Sequence, residues 1–313
     1  MKHAAGVEGV PARALVFGEA LVDVIDGASY PGGSPMNVAV GLSRLGVPTT
    51  LAARFGDDEH GTQIAEHLAA SNVGFAPQVA GAETSRAEVT LDAAGQAQYR
   101  FVLDSALPET SLDGIELVHT GSLGAVLAPG SATVEAAFAA GGARLRSYDP
   151  NIRPDLMTDH DATIDRVERL AARSHIVKLS DEDAAWLYPG LAPEQVLGRL
   201  LDLGAALAVM TRGAAGCIAR IGDGASDDVL AVPAQRVTVV DTVGAGDSFM
   251  AALLAAALDG PLAPALLAGA APAPHDVEVA LRFAAHAAGI TSSRAGANPP
   301  WAHEVARADD ARS

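Results

Sequence analysis

Residues 241–250 read DTVGAGDSFM, and the run AALLAAAL, 251–258, follows at once. The run is a helix made for burial. In front of it, Gly244 and Gly246 let the backbone turn so tightly that successive N–H groups face one concavity, to which the helix adds the positive end of its dipole. Such a concavity suits an anion. Asp247 at its rim is not a phosphate ligand, because two anions repel. It suits the acceptance of a proton from a hydroxyl that attacks a phosphorus atom held by those amides. The competing reading is that Asp247 caps the helix, and for an isolated Gly-X-Gly-Asp that is the more frequent role. GAGDSF lacks the third glycine of the dinucleotide fingerprint and has too little chain after it for a dinucleotide domain, which disfavours a Rossmann oxidoreductase.

Outward from this loop, apolar strand segments alternate with helical ones. ALVFGEALVDVI (14–25) reads as one buried strand carrying Glu19 and Asp23, two acids out of place in a core. YPGGSPMNVAVGLSRLG (30–46) is a glycine turn running into a helix, TTLAARFG a strand, and DDEHGTQIAEHLAASNVG a helix closed by glycine. Residues 83–103 alternate Val89, Leu91 and Tyr99, Phe101 about the turn-like DAAG, a half-exposed hairpin. From ELVHTGSLG onward the strands GARLRSYDP, HIVKLS and AALAVMTRG are separated by the helices TIDRVERLAARS and PEQVLGRLLDLG. Such repeats imply an α/β fold with a mostly parallel sheet covered by helices on both faces, and ligands bind beyond the carboxyl ends of its strands.

Composition narrows the function. A chain of 313 residues, 49% hydrophobic with mean hydropathy +0.22, buries a large core. A net charge of −17 argues against nucleic-acid and anionic-membrane partners. No window reaches the ~18 uncharged apolar residues of a membrane span, and the start of the chain has no secretory apolar region. Cys217, the lone cysteine, sits in an apolar run as a buried small hydrophobe, in keeping with a reducing cytoplasm. Lysine occurs only at positions 2 and 178, so neither a P-loop nor a protein-kinase strand lysine can be written. The nine histidines show no metal-ligand spacing, and His119 and His286 read as satisfied structural groups. Trp186 and Trp301 read as packing residues.

Taken in order, DTVGAGDSFMAALL and YPGGSPMNVAVGLSRLG resemble the C-terminal and sugar-binding signatures of the PfkB, or ribokinase-like, carbohydrate kinases. FGDDEHG, YDPNIRPDL, KLSDEDAAWL and MTRGAAG follow the same family order, so the resemblance covers nearly the whole chain. It implies a ribokinase-like three-layer α/β/α fold: a flexible tail over 1–12, then a single kinase domain over 13–313, with a small β lid near 20–35 and 83–105. The implied reaction moves the γ-phosphoryl group of ATP to a hydroxymethyl group of a sugar. Asp247 takes the place of the general base, and in the loop that begins at Gly244 the amides of Ala245, Gly246 and Asp247 stabilise the charge on the transferring phosphoryl group. Asp23 matches the sugar-hydroxyl ligand, with Gly32, Gly33, Ser34 and Asn37 in the same pocket.

KLSDEDA aligns with the family's NxxE motif, linked to Mg²⁺ and phosphate, but carries Ser180 and Asp183 at its two ends. Lys178 either reaches a phosphate or is a strand-end charge. Thr211 and Gly213 of MTRGAAG match the nucleotide-phosphate loop, and TSSRAGAN, with Asn298, matches the adenine-side loop. Asp241, Val243 and Gly296 fall where part of the family binds a monovalent cation such as K⁺. The DPNxR segment with Arg153 is shared by fructokinases and 2-keto-3-deoxygluconate kinases. Tyr99, Arg100 and Arg153 would meet a keto-acid carboxylate, whereas GEALVDVI and KLSDED lean towards fructokinase. A nucleoside kinase is disfavoured by the scarcity of aromatic residues. A catalytically silent sugar sensor is disfavoured by retention of Gly244, Gly246 and Asp247. Lid sheets that pair between subunits in this family make a homodimer the expected assembly.

Overall fold

Strands buried on both faces read as unbroken apolar runs, and Ala14–Phe17 (ALVF) and Leu207–Thr211 (LAVMT) have that texture because helices cover both sides of their sheet. The computed structural model describes residues 13–25, 27–78, 81–91, 97–222 and 228–310. The expected tail over 1–12 and the DAAG turn lie outside the described residues. The strands are β1 Ala14–Phe17, β2 Leu21–Ile25, β3 Ala28–Gly32, β4 Thr49–Ala52, β5 Gly74–Phe75, β6 Ser85–Leu91, β7 Ala97–Val102, β8 Leu117–Gly121, β9 Leu145–Asp149, β10 Ile176–Ser180, β11 Leu207–Thr211, β12 Cys217–Ile221 and β13 Leu230–Val232. The helices are α1 Ser34–Arg44, α2 Glu59–Ala70, α3 Ser122–Val126, α4 Gly130–Ala139, α5 His160–Ala171, α6 Asp181–Leu187, α7 Pro193–Leu203, α8 Ala245–Asp259, α9 Leu262–Leu267, α10 Pro274–Ser292 and α11 Ala302–Asp310.

Nine strands form the large sheet in the order β13-β12-β11-β10-β9-β8-β1-β4-β5, and of these only β12 runs against the rest. One face packs on α1, α2, α8, α9 and α10, and the other on α3 to α7, giving three layers with a core on each side of the sheet. The strand order reverses between β1 and β8, so the loops leaving those strands part and open a crevice at the carboxyl edge. Over that edge stands a second sheet, β3-β2-β6-β7, made from residues 21–32 and 85–102. Among the described residues no helix is long and apolar enough to cross a membrane.

Two sequence expectations change. ALVFGEALVDVI is not one strand: β1 ends at Phe17 in the large sheet and β2 begins at Leu21 in the small one. The break sits at Gly18, where a Cβ would lie 2.2 Å from Cγ of Pro35, so only glycine lets the chain leave the large sheet against the start of α1. The helix after Asp58 ends at Ala70, with Asn72 at φ 55°, ahead of Gly74, which instead enters β5.

Candidate active site

The carboxyl edge of the large sheet and the inner face of the small one enclose a cleft of about 1380 Å³. Five strand ends contribute to it: Glu19 after β1, Ser122 after β8, Asn151 and Arg153 after β9, Lys178 and Ser180 at β10, Thr211 and Gly213 at β11. Ser122 at φ 53° and Asn151 at φ 41° hold left-handed backbone without being glycine. Strain of that kind persists where the surrounding structure fixes it, and it gathers at functional sites.

At the centre stands Asp247, 8% exposed, in the first turn of α8. Gly244 caps this helix at φ 73°, and Ser248 N–H closes the first helical bond on its carbonyl. The amides of Gly246 and Asp247 therefore have no intrahelical acceptor and face the cleft's centre, as helix N-termini do. Ala245 differs from expectation, since its N–H donates to the Thr242 carbonyl at 3.2 Å and so closes the turn. Ser34 Oγ donates to one Asp247 oxygen at 2.6 Å and Asn37 Nδ2 to the other at 2.8 Å. Two residues expected to touch sugar thus also aim the carboxylate, and its remaining lone pairs point at whatever occupies the cleft.

On the small-sheet side, Asp23 lines the cleft with its carboxylate packed on Gly32, where a Cβ would sit 2.8 Å from Oδ2. Burial pushes its carboxyl up, and the Arg153 guanidinium opposes the shift. Glu19, 8% exposed, accepts from Gly124 N–H at 2.9 Å, and burial likewise pushes it up. Arg153 Nη1 holds the Asn151 side chain at 2.8 Å and the Ile152 carbonyl at 3.0 Å, fixing the strained loop. Arg100 is placed elsewhere: its neighbours Ala87 and Phe101 line the cleft while Arg100, on the opposite face of β7, reaches Glu88 at 3.5 Å in solvent. The side chain of Tyr99 lies outside the described residues.

Beneath the anion loop lies a pair that no spacing along the chain brings together. Lys178 Nζ stands 2.8 Å from Asp149 Oδ2, with side-chain exposures of 5% and 1%, and 3.5 Å from the Gly246 carbonyl. Burial works to neutralise Lys178, but Asp149, then Asp183 and Asp247, more than offset it and hold the ammonium above its ordinary range. Burial also drives Asp149 up, against the pull of Lys178. The 2.8 Å contact makes each partner favour the charged form of the other. In the sequence Asp149 only opens the DPNxR segment and Glu19 is only an acid out of place in a core, and neither carries a role there.

Asp183 does not offer a free carboxylate to a metal. One oxygen accepts from Ile152 N–H at 2.7 Å and the other from Ser180 N–H at 2.8 Å, while Ser180 Oγ takes Asp183 N–H at 3.0 Å. That reciprocal capping box starts α6 and ties the loop after β9 to it. Among the described residues no cluster of three or more His, Cys, Asp or Glu is arranged to hold a metal ion. Asn298 is also corrected: its Oδ1 accepts from Arg44 at 2.6 Å, away from the cleft, which Ala295, Gly296 and Ala297 line instead. Asp241 accepts from Val243 N–H at 3.0 Å and Gly296 N–H at 2.9 Å, drawing those three residues together. Trp186 packs on His160 and Trp301 under Arg44, as packing residues do. His119 is only half satisfied, with Nδ1 2.9 Å from Ser147 Oγ and Nε2 unpartnered.

The chain matches the family model described as "pfkB family carbohydrate kinase" over residues 10–304. A fructokinase of Rhizobium leguminosarum bv. trifolii is 36% identical over 260 residues, 77% of this chain and 78% of that protein. Fructokinase from Xylella fastidiosa with bound ATP superposes at a TM-score of 0.81 with 24% identity, covering 96% of this chain and 99% of that one. A double mutant of the fructokinase of Vibrio cholerae O395, in its fructose-, ADP- and potassium-bound form, superposes at 0.74 with 25% identity over 91% and 94% of the two chains. With the family model spanning the cleft, the small sheet and the aspartate-bearing helix alike, the chain belongs to the pfkB family of carbohydrate kinases.

Proposed function

We propose that this ATP-dependent carbohydrate kinase is a fructokinase, with Asp247 as general base and the amides of Gly246 and Asp247 as the anion hole. The observation that carries the assignment of the base is the pair of short hydrogen bonds from Ser34 and Asn37, which fix Asp247 at the mouth of a helix N-terminus. Asp247 takes the proton of a sugar hydroxymethyl oxygen as that oxygen attacks the γ-phosphorus and the bond to ADP breaks. The two amides stabilise the charge on the transferring group.

Sugar sits between the small sheet and α1, against Asp23, Gly32, Gly33 and Arg153, and nucleotide lies along Lys178, Ser180, Thr211, Gly213 and the 295–297 loop. Glu19, Asp23 and Asp247 bring three carboxylates to the sugar end against a single arginine, so a neutral ketose fits better than a 2-keto-3-deoxy acid. Arg100, a candidate carboxylate partner, faces away. Several relatives 30–36% identical carry the name fructokinase. The small sheet acts as a lid that keeps water from the phosphoryl group.

Mg²⁺, which neutralises nucleotide phosphates, enters with ATP and its own waters. K⁺, bound in the Vibrio cholerae relative, is assigned to main-chain oxygens of the 241–243 and 295–297 loops. The open strand edges β3 and β7 of the small sheet offer a second copy a place to pair, giving a homodimer that light scattering would test. The need for ATP and the single, buried cysteine support a cytoplasmic location. The deciding experiment is a coupled ADP assay over D-fructose, 2-keto-3-deoxygluconate and other sugars, with wild type and Asp247→Asn. Turnover on fructose that drops by about 10²- to 10⁴-fold in the variant is expected. No turnover with fructose overturns the substrate assignment, and an unimpaired variant overturns the base.

A further inference from the structure

Arg44, the last residue of α1, lies outside the cleft and makes more specific contacts than a surface arginine needs. Its Nε donates to Ser71 Oγ at 3.1 Å, and its Nη1 donates to Asn298 Oδ1 at 2.6 Å and to the Pro299 carbonyl at 2.7 Å. The guanidinium also lies 5.1 Å from the centre of the Trp301 ring. Ser71 closes α2, whereas Asn298, Pro299 and Trp301 belong to the segment that leaves α10 and enters α11. Glu304 closes the same segment from the other side, pairing with Arg294 at 2.5 Å and accepting from Trp301 N–H at 2.8 Å.

The segment so gripped is the wall of the nucleotide end. Ala295, Gly296 and Ala297 line the cleft. Gly296 N–H donates to Asp241, and Ala297 packs on the anion loop so closely that a Cβ on Gly244 would lie 2.6 Å from its own. Arg44 is an attachment that comes from outside these loops. It comes, moreover, from the helix whose other end carries Ser34 and Asn37, the two donors on Asp247. A helix of 11 residues spans about 16 Å as a rigid rod.

We propose that Arg44 is a positioning residue for the nucleotide: through Asn298 and Pro299 it sets the 295–297 wall, and α1 is the rod that fixes this wall relative to the base. The inference rests on the nucleotide lying at that end, as argued above. Lysine cannot replace Arg44, because a point charge neither forks to three acceptors nor stacks on Trp301.

The test is ATP affinity by calorimetry, together with KM for ATP and fructose, for wild type, Arg44→Met, Arg44→Lys and Asn298→Ala. Arg44→Met should raise the Kd and KM for ATP by about tenfold and leave the fructose KM within about twofold, as expected for a displaced wall and an intact sugar site. Arg44→Lys should fall between the two, and Asn298→Ala should raise the ATP Kd by about threefold. A folded Arg44→Met protein with unchanged ATP affinity overturns the proposal, and so does a parallel rise in both constants, which marks a merely structural arginine. Where Arg44→Met does not fold, an unchanged ATP Kd in Asn298→Ala overturns it. Wild type that binds ATP yet phosphorylates no sugar would sink the substrate assignment and leave this comparison decisive. Wild type that fails to bind ATP sinks both.

Discussion

Lys178 and Asp149 show how one buried contact constrains a catalytic loop. Taking two charges out of water is costly and is recovered only when they meet in good geometry, so removing one partner is far worse than removing both. Lys178 also touches the Gly246 carbonyl, so the pair holds the floor of the anion loop from below while Ser34 and Asn37 hold Asp247 from the side. Asp149→Asn should therefore destabilise the fold by about 3 kcal/mol, as should Lys178→Met. Asp149→Leu combined with Lys178→Met should recover most of the loss. Urea unfolding of the three proteins measures this, and a double variant no more stable than either single one would show that the pair does not act as a unit. Recovered stability without recovered turnover would place the ammonium in the reaction as well.

Among the elements, the loop into α8 depends most on one residue type. Gly244 sits at φ 73° with Ala297 against its Cα, so alanine there meets both left-handed strain and a clash. Gly269, at φ 68° with open space around it, supplies the control. Gly244→Ala should lower kcat/KM by about 10²-fold or more, because the anion hole shifts against the bound phosphate. Gly269→Ala should cost about 1 kcal/mol of stability and leave kinetics unchanged. Equal kinetic losses in the two would mean that strain alone, and not the contact with Ala297, shapes the loop. The parallel sheet, the turn into α1 and the helix after the glycines were legible because each leaves a local pattern. The passage from β1 to β2 was not, since an apolar run looks the same whether or not it changes sheets. Asp183 and Asn298 occupy motif positions, but a motif does not say which way a side chain turns, and both are spent on hydrogen bonds within the protein. Lys178 and Asp149 meet only because β9 and β10 are neighbours, a pairing that no spacing along the chain reveals.

For the whole molecule, pH tolerance follows from charges the fold refuses. His119 lies on β8 at 0% exposure, and burial, with the Lys178 charge nearby, pushes its imidazole down to about 3. In the unfolded chain the same group titrates near 6.5. Between those values the unfolded chain binds a proton that the folded protein excludes. The contribution of His119 is thus complete above about pH 6.5 and is lost as pH falls towards 3, at up to about 1.4 kcal/mol per pH unit. Asp149 and Glu19 work in the opposite sense: burial raises both carboxyls, so what they contribute is present at low pH and lost as pH rises through their raised values. Acid lability therefore traces in part to this histidine, beside His67 and His175, which burial also pushes down, and the carboxyls of Asp58, Asp241 and Glu304, which hydrogen bonds hold below their ordinary range. His119→Gln keeps a polar group opposite Ser147 but removes the titration. From pH 6.5 to 4.5 the unfolding free energy of wild type should fall by about 2 kcal/mol more than that of the variant, read from urea midpoints at fixed ionic strength. Parallel pH profiles would show that the imidazole takes up its proton inside the folded core, and that the Nε2 left unpartnered there finds an acceptor once charged.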